Sequence, residues 1–275
     1  MSNYKLVFSD LDGTLLRRDM TVSDENKAAI KKMTELGVGF VASSGRAHTG
    51  LPEDVVNCDD IRYLISSNGA VIYDKAVKKN IVTSFMPREV AEVMFEVVKK
   101  YDASVFAHFN GIMYVDEALT KKKNYEYYNI NDYYSGFIER TGITLDSVID
   151  TASKIDNLEM ITVFFHSQEE LDECTERILA IGDYKVVSSC AFNIEIFYKK
   201  SGKGASLRAL AEHLGISIED TIAVGDSTND KPMIDAAGLS LAMENAFPEV
   251  KKSADAVICH YNDHAADYIL KHYIL

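Results

Sequence analysis

The segment Leu6-Val7-Phe8-Ser9-Asp10-Leu11-Asp12-Gly13-Thr14 decides how the rest of the chain is interpreted. A short apolar run so near the N-terminus is typical of a buried strand in a parallel sheet. Two carboxylates, Asp10 and Asp12, follow where that strand ends, and Gly13 lets the backbone turn away. Ligands of open parallel sheets bind just outside the carboxyl ends of the strands, where paired carboxylates suit a hard divalent cation. A solvated Asp-Gly turn is the alternative interpretation of the same residues.

The composition argues against several classes of function. The chain has 275 residues, 47% of them hydrophobic and 26% charged, which is ordinary for a globular protein of one large or two unequal domains. Its net charge of −13 argues against binding to nucleic acid or to an anionic membrane, because Lys and Arg recognise both. The scattered cysteines, without a CxxC pair, indicate neither disulfides nor a zinc site. Because no apolar run has the length of a signal or membrane-spanning segment, we expect a cytoplasmic protein.

Strands and helices alternate at both ends of the chain. Ser23 is an N-cap residue before a predicted helix, and an apolar strand at 38–42 then leads into Ser44-Gly45. A strand, a helix and a strand in this order form a βαβ unit and imply a parallel sheet. The same pattern resumes with a helix near Gly204 and a buried strand that ends just before Asp226.

The middle of the chain has a different character. Short strands joined by Asn110-Gly111, a strong hairpin signal, alternate there with amphipathic helices. We therefore predict an α/β protein, a Rossmann-like doubly wound parallel core with an inserted α+β cap domain. The predicted core comprises residues 1–84 and 190–275, and the predicted cap comprises residues 85–189. Given the net charge, we interpret the tyrosine-rich stretch 121–134 as packing in a core or on the cap surface and not as a nucleic-acid surface.

Polar side chains follow strands or begin helices at four places in the predicted core. They are Asp10 with Asp12, Ser44 with Gly45, Lys203, and Asp226 with Asn229 and Asp230. Because the carboxyl ends of parallel strands meet at one edge of a sheet, we expect these groups to form one site. Lys203 alone would be an ordinary solvated lysine at a helix start. Arg46 either contacts a substrate or holds a loop.

The chain resembles the haloacid dehalogenase superfamily in four ordered motifs. They are Asp10-Leu11-Asp12-Gly13-Thr14-Leu15, Ser43-Ser44-Gly45-Arg46, Lys203-Gly204 and Gly225-Asp226-x-x-Asn229-Asp230. Their order is most similar to that of Cof-type phosphatases, in which a C2-type cap lies between the second and third motifs. Two further segments match, Ile65-Ser66-Ser67-Asn68-Gly69-Ala70 and Ala242-Met243-Glu244-Asn245-Ala246. Glu244 stands where the family usually has Gly, a departure that concerns local loop shape and not the chemistry.

The resemblance implies a role for each site residue. Asp10 is the expected nucleophile that becomes an aspartyl-phosphate, and Asp12 is the expected general acid and base. Mg²⁺ is the implied cofactor. Its expected ligands are the carboxylates of Asp10 and Asp226 and the backbone carbonyl of Asp12. For Asp230 the resemblance leaves three roles open: it binds the metal directly, binds it through water, or orients Lys203. The expected phosphate-binding groups are the backbone N–H groups of Leu11 and Gly45 and the side chains of Ser44, Lys203 and Asn229.

We therefore expect a Mg²⁺-dependent phosphatase of small phosphorylated metabolites, such as sugar phosphates. Two alternatives stay open: a phosphotransferase or phosphomutase that uses the same intermediate, and a non-catalytic protein that senses phosphate. Asp12 argues against the sensor, because a protein that only binds has no need of an acid and base. Specificity is expected in the cap, between about Phe85 and Cys190, and the sequence indicates neither the substrate nor the oligomeric state.

Overall fold

A computed structural model describes residues 4–275 of the chain. The strands are β1 (Leu6–Ser9), β2 (Gly39–Ser43), β3 (Ile61–Ser66), β4 (Val71–Asp74), β5 (Lys79–Thr83), β6 (Ala103–Phe109), β7 (Ile112–Asp116), β8 (Ile143–Leu145), β9 (Leu158–Phe165), β10 (Tyr184–Val187), β11 (Asn193–Tyr198), β12 (Thr221–Gly225), β13 (Leu239–Ala242) and β14 (Ala256–Val257). The α-helices are α1 (Asp24–Glu35), α2 (Glu53–Val56), α3 (Arg88–Val98), α4 (Glu117–Lys122), α5 (Asp132–Thr141), α6 (Val148–Ala152), α7 (Gln168–Ile181), α8 (Lys203–Leu214), α9 (Lys231–Ile234), α10 (Pro248–Ser253) and α11 (Ala265–Ile269).

The first compact unit is the core, which contains the chain up to Gly45 together with Leu51–Thr83 and Gly202–Leu275. Its sheet has the strand order β14-β13-β12-β1-β2-β3-β4-β5. The strands from β14 to β3 run parallel, whereas β4 and β5 add an antiparallel edge. The predicted doubly wound parallel sheet is therefore confirmed.

Helices cover both faces of the core sheet. Its strands are apolar at successive positions, so both faces have apolar side chains that must be buried. Side chains of a strand point alternately to the two faces. In β1, Val7 belongs to the hydrophobic cluster that contains Ile30 of α1, whereas Phe8 belongs to the cluster that contains Leu207 of α8. Helix α1 begins after Ser23, whose Oγ accepts a hydrogen bond from the backbone N–H of Asn26, as the N-cap prediction requires.

The second compact unit is the cap, which contains Arg46–Gly50 and Ser84–Ser201. Its sheet has the order β10-β11-β9-β6-β7-β8, and its strand pairs are antiparallel except for β7 with β8. Asn110 and Gly111 have positive φ and join β6 to β7, so the predicted hairpin is present. The N–H of Thr49 donates to the carbonyl of Gly111 at 2.9 Å, which ties the short segment to the same unit.

Two boundaries in the structure differ from the predicted ones. The predicted end of the cap, between residues 189 and 190, falls inside the cap sheet, because β10 pairs with β11 and β11 pairs with β9. The division lies instead between Ser201 and Gly202. The segment Arg46–Gly50, predicted as core, lies with the cap. Among residues 4–275, no helix combines the length and the apolar character that crossing a membrane requires.

Candidate active site

Neighbouring parallel strands bring several predicted site residues to one edge of the core sheet. Asp226 follows β12, Asp10 follows β1 and Ser44 follows β2, and these three strands lie side by side. The N–H of Asp10 donates to the carbonyl of Val224 at 3.0 Å, and the N–H of Ser44 donates to the carbonyl of Ile65 at 2.9 Å. Backbone pairing therefore continues past the strand ends and holds the first residue of each loop in register.

Three carboxylates form the centre of this edge. Asp10, Asp226 and Asp230 each offer one oxygen, and these oxygens lie within 4.8 Å of one another. Burial, and then the charge of Asp230, raises the pKa of Asp10 well above its ordinary value. The same two causes raise the pKa of Asp226 to about 7. The arrangement thus concentrates negative charge in a place that a cation would stabilise.

Lys203 supplies a cation to this cluster from the first position of α8. Its side chain is fully buried, and its Nζ lies 2.6 Å from Oδ1 of Asp10 and 2.6 Å from Oδ1 of Asp230. Burial lowers the pKa of Lys203, but the charges of Asp10 and Asp230 outweigh it and bring the pKa above its ordinary value. The ammonium therefore stays charged, and the lysine that was ambiguous in sequence lies inside the predicted site.

Asp230 organises the loop that follows β12. Its Oδ1 accepts from Lys203, and its Oδ2 accepts from the backbone N–H groups of Asp226 and Ser227, each at 3.0 Å. Gly225 allows this close approach, since a Cβ there would lie 2.5 Å from the Cβ of Asp230. Both oxygens of Asp230 are thus already engaged by protein groups. By contrast, Oδ1 of Asp226 is buried and has no hydrogen-bond partner within residues 4–275.

The turn Leu11–Leu15 packs directly against Asp226. Gly13 has φ +78, and a Cβ on it would stand 2.4 Å from Oδ2 of Asp226. Glycine is required here both for the backbone conformation and for the space. The negative charge of Asp12 contributes to the raised pKa values of Asp10 and Asp226, so Asp12 lies within electrostatic reach of the cluster.

The remaining predicted phosphate-binding groups lie at the same edge. Three of them follow β1 and β2: Leu11, Ser44 and Gly45. Asn229 is buried, and its Nδ2 donates to Oδ1 of Asn68 at 3.0 Å. Asn68 has φ +50, and its backbone N–H donates to the carbonyl of Ser44 at 3.1 Å. Asn68 therefore connects the loops after β2, β3 and β12, a role that the sequence reasoning missed.

Asn245 is the second site residue that the sequence reasoning missed. Its Nδ2 donates to the carbonyl of Gly13 at 2.8 Å and to Oδ2 of Asp226 at 3.2 Å, while its Oδ1 accepts from the N–H of Tyr261 at 3.2 Å. Asn68 lies in the first and Asn245 in the second of the two further segments that resemble the family. Those segments were the available signal, but neither segment indicated what its asparagine would contact.

Arg46 has contacts that hold a loop. Its guanidinium donates to the carbonyl of Gly50 at 3.0 Å and to the hydroxyl of Tyr133 at 2.7 Å. It also lies 4.7 Å from the centre of the Phe137 ring, which is within the range of a cation–π interaction. All four residues belong to the cap unit, so of the two predicted roles these contacts support loop holding.

The chain is similar to known proteins over nearly its whole length. A family model of haloacid dehalogenase-like hydrolases matches residues 7–270. Phosphatase YwpJ of Bacillus subtilis is 30% identical, with 98% of this chain and 99% of that protein aligned. The 5-amino-6-(5-phospho-D-ribitylamino)uracil phosphatase YwtE of Bacillus subtilis is 27% identical, with 97% and 96% aligned. The solved structure of a haloacid dehalogenase-like hydrolase from Bacillus subtilis is 29% identical and superposes with a TM-score of 0.83, covering 98% of this chain and all of that one.

Proposed function

Since the chain belongs to the haloacid dehalogenase-like hydrolase family and is a phosphatase, we propose that it hydrolyses small phosphorylated metabolites with Mg²⁺ and through a phosphorylated Asp10. The observation that carries this proposal is the cluster of Asp10, Asp226 and Asp230 with the buried ammonium of Lys203. A carboxylate nucleophile needs a fixed position and a cation beside it, and this cluster provides both.

The donor set of the cluster fits a hard divalent cation. It consists of carboxylate oxygens, and Oδ1 of Asp226 is buried with no hydrogen-bond partner within residues 4–275. Mg²⁺ takes oxygen ligands and is usually held by one or two carboxylates. We assign the carboxylates of Asp10 and Asp226 and the backbone carbonyl of Asp12 as its ligands. Asp230, whose oxygens are engaged by Lys203 and the loop backbone, instead orients these groups.

The chain's own residues then divide the work of the reaction. Asp10 attacks the phosphorus of the substrate, and Lys203 holds Oδ1 of Asp10 in place and stabilises negative charge on the phosphate oxygens. As the bond from phosphorus to the ester oxygen breaks, Asp12 donates a proton to that oxygen, and it afterwards takes a proton from the water that hydrolyses the aspartyl-phosphate. Ser44, Asn229 and the nearby backbone N–H groups hold the remaining phosphate oxygens. When bound, Mg²⁺ offsets the repulsion between the carboxylate nucleophile and the anionic phosphate.

The names of relatives suggest the class of substrate. One relative, at 27% identity over nearly the whole chain, is a phosphatase of a compound that carries a phosphorylated ribityl group. We therefore propose a substrate phosphorylated on a sugar or polyol hydroxyl. A phosphate monoester of this kind presents the small dianionic group that the cluster would bind, whereas the net charge of −13 is unfavourable for a polyanion.

The test is release of inorganic phosphate from a panel of sugar, polyol and nucleoside phosphates, with Mg²⁺ and with excess chelator. Asp10→Asn keeps the side-chain volume but removes the nucleophilic charge, and we expect no turnover from a folded variant. Asp235→Asn is the matched control, because Asp235 is exposed and pairs only with Lys231 among the contacts described. We expect the control to keep the wild-type rate.

The outcomes separate the possible activities. Phosphate release that needs Mg²⁺ and is lost in Asp10→Asn supports the proposal. A folded Asp10→Asn variant that turns over would refute the assignment of the nucleophile. Labelled solvent water distinguishes hydrolysis from transfer, because only hydrolysis places solvent oxygen in the released phosphate. Transfer to an added sugar without such labelling would establish a phosphotransferase instead.

A further inference from the structure

We propose that Asn245 is a positioning residue of the metal site, whose side-chain amide turns the Asp226 carboxylate so that Oδ1 faces the cation. The inference rests on the proposed metal-dependent function, and it concerns the protein groups that orient a ligand. Asn245 itself contacts neither the substrate nor the reacting atoms in this proposal.

The contacts of Asn245 join three segments that are far apart in sequence. Its Nδ2 donates to the carbonyl of Gly13 at 2.8 Å and to Oδ2 of Asp226 at 3.2 Å. Its Oδ1 accepts from the N–H of Tyr261 at 3.2 Å. One amide therefore fixes the turn after β1 relative to the loop after β12, and the contact with Tyr261 holds that amide in one orientation.

The two oxygens of Asp226 have different surroundings as a result. Oδ2 accepts from Asn245 and lies so close to Gly13 that a Cβ there would stand at 2.4 Å. Oδ1 is buried and has no hydrogen-bond partner within residues 4–275. A buried carboxylate oxygen without a partner is unfavourable unless a ligand satisfies it. The hydrogen bond from Asn245 thus determines which oxygen remains for that ligand.

This orientation matters because Mg²⁺ demands nearly ideal octahedral geometry. A carboxylate that can rotate presents its oxygen in the right direction for only part of the time, and the affinity for the cation falls accordingly. Groups that hydrogen-bond to metal ligands typically affect metal affinity by about 10- to 100-fold. We expect an effect of this size on the dissociation constant of Mg²⁺ when the amide of Asn245 is removed.

The test measures Mg²⁺ binding directly, by calorimetric titration of the full chain without substrate. Asn245→Ala should raise the dissociation constant by about 10- to 100-fold. The matched control is Asn26→Ala: Asn26 is also a buried bridge, donating to the carbonyl of Leu15 and accepting from the N–H of Ala266. Its loss should lower the thermal midpoint but leave the dissociation constant of Mg²⁺ near the wild-type value.

The outcomes distinguish this inference from the proposed function. If wild-type protein binds Mg²⁺ and Asn245→Ala binds it equally well, Asn245 has only a structural role and the inference is wrong. If wild-type protein binds no Mg²⁺, the proposed Mg²⁺-dependent function fails together with the inference. In the phosphate-release assay, the variant should require more Mg²⁺ for half-maximal rate while its rate at saturating Mg²⁺ stays close to wild type.

A second measurement does not depend on whether the variant folds. In wild-type protein with labelled asparagine, saturating Mg²⁺ should shift the side-chain amide resonance of Asn245 in the nuclear magnetic resonance spectrum. The amide resonance of Asn26 should move much less, because Asn26 contacts backbone groups and no carboxylate of the cluster. An Asn245 resonance that does not move at saturating Mg²⁺ would contradict the inference.

Discussion

Replacing Lys203 by Met removes the cation from the carboxylate cluster and preserves most of the side-chain volume. The Nζ of Lys203 lies 2.6 Å from Asp10 and 2.6 Å from Asp230, and the side chain is fully buried. Breaking a buried ion pair by removing one partner typically costs about 3–5 kcal/mol, because the remaining charge is left buried without compensation. We therefore expect the free energy of unfolding to fall by about 3–5 kcal/mol without metal at alkaline pH, where the carboxylates that remain are charged.

The loss of unfolding free energy on replacing Lys203 by Met should depend on pH in a defined direction. The charges of Asp10 and Asp230 raise the pKa of Lys203, so the lysine stabilises the fold at every pH below its unfolded pKa. Lys203 in turn lowers the pKa values of Asp10 and Asp226, which burial already raises. In Lys203→Met these acids bind protons at higher pH, which relieves their repulsion. The loss of unfolding free energy in Lys203→Met should be largest above pH 7, since the pKa of Asp226 is about 7 even with the lysine present, and it should become smaller as the pH falls.

Urea unfolding followed by circular dichroism at several pH values measures this effect. Lys231→Met is the matched control, because Lys231 also lies 2.6 Å from an aspartate, Asp235, but on the surface. Exposed helical pairs of this kind contribute about 0.3–0.5 kcal/mol. Added Mg²⁺ should restore part of the stability of Lys203→Met. If Lys203→Met loses no more than Lys231→Met, or if its deficit grows on acidification, the assignment of Lys203 as the compensating charge is wrong.

Further predictions concern the turn after β1, the cap and the metal. Gly13→Ala should lower stability and weaken Mg²⁺ binding in a calorimetric titration, since its Cβ would stand 2.4 Å from Oδ2 of Asp226; unchanged binding would contradict this. Burial lowers the pKa of His108 to about 4. The free energy of unfolding of the wild type should therefore fall by about 3 kcal/mol more than that of His108→Asn as the pH drops from about 6.5 to 4. Urea unfolding at several pH values measures this, and an equal fall in both proteins would refute it. Mg²⁺ at 100 times its dissociation constant should stabilise the wild type by about 2.7 kcal/mol in urea unfolding, and no stabilisation would exclude selective binding to the folded state.

Local signals in the sequence were sufficient for the elements of the core. The Ser23 cap, the apolar strand at 38–42 and the buried strand that ends just before Asp226 form as predicted to within a residue or two, because each depends on neighbours in sequence. The position of the site was also predictable, since the carboxyl ends of parallel strands lie at one edge of the sheet and the polar side chains that follow them therefore lie close together. Asp10, Asp226 and Lys203 meet there as expected.

The cap was less predictable because its pairing is nonlocal. β8 has only three residues, with little burial, and exists through its parallel pairing with β7. Helix α5 lies in a stretch where tyrosines obscure a regular apolar period. The end of the cap was placed too early because β11 alternates like a strand of either unit, and only its pairing with β9 assigns it to the cap.

The sequence by itself determined the type of fold and the residues that carry charge in the site. Burial patterns and ordered motifs are properties of short segments, so they can be recognised without coordinates. Only the tertiary structure decided which side chains contact one another: Lys203 bridges Asp230 to Asp10, and Asn245 holds Asp226. Hydrogen bonds between side chains about 20 to nearly 200 residues apart depend on how loops converge, and no local pattern encodes that convergence.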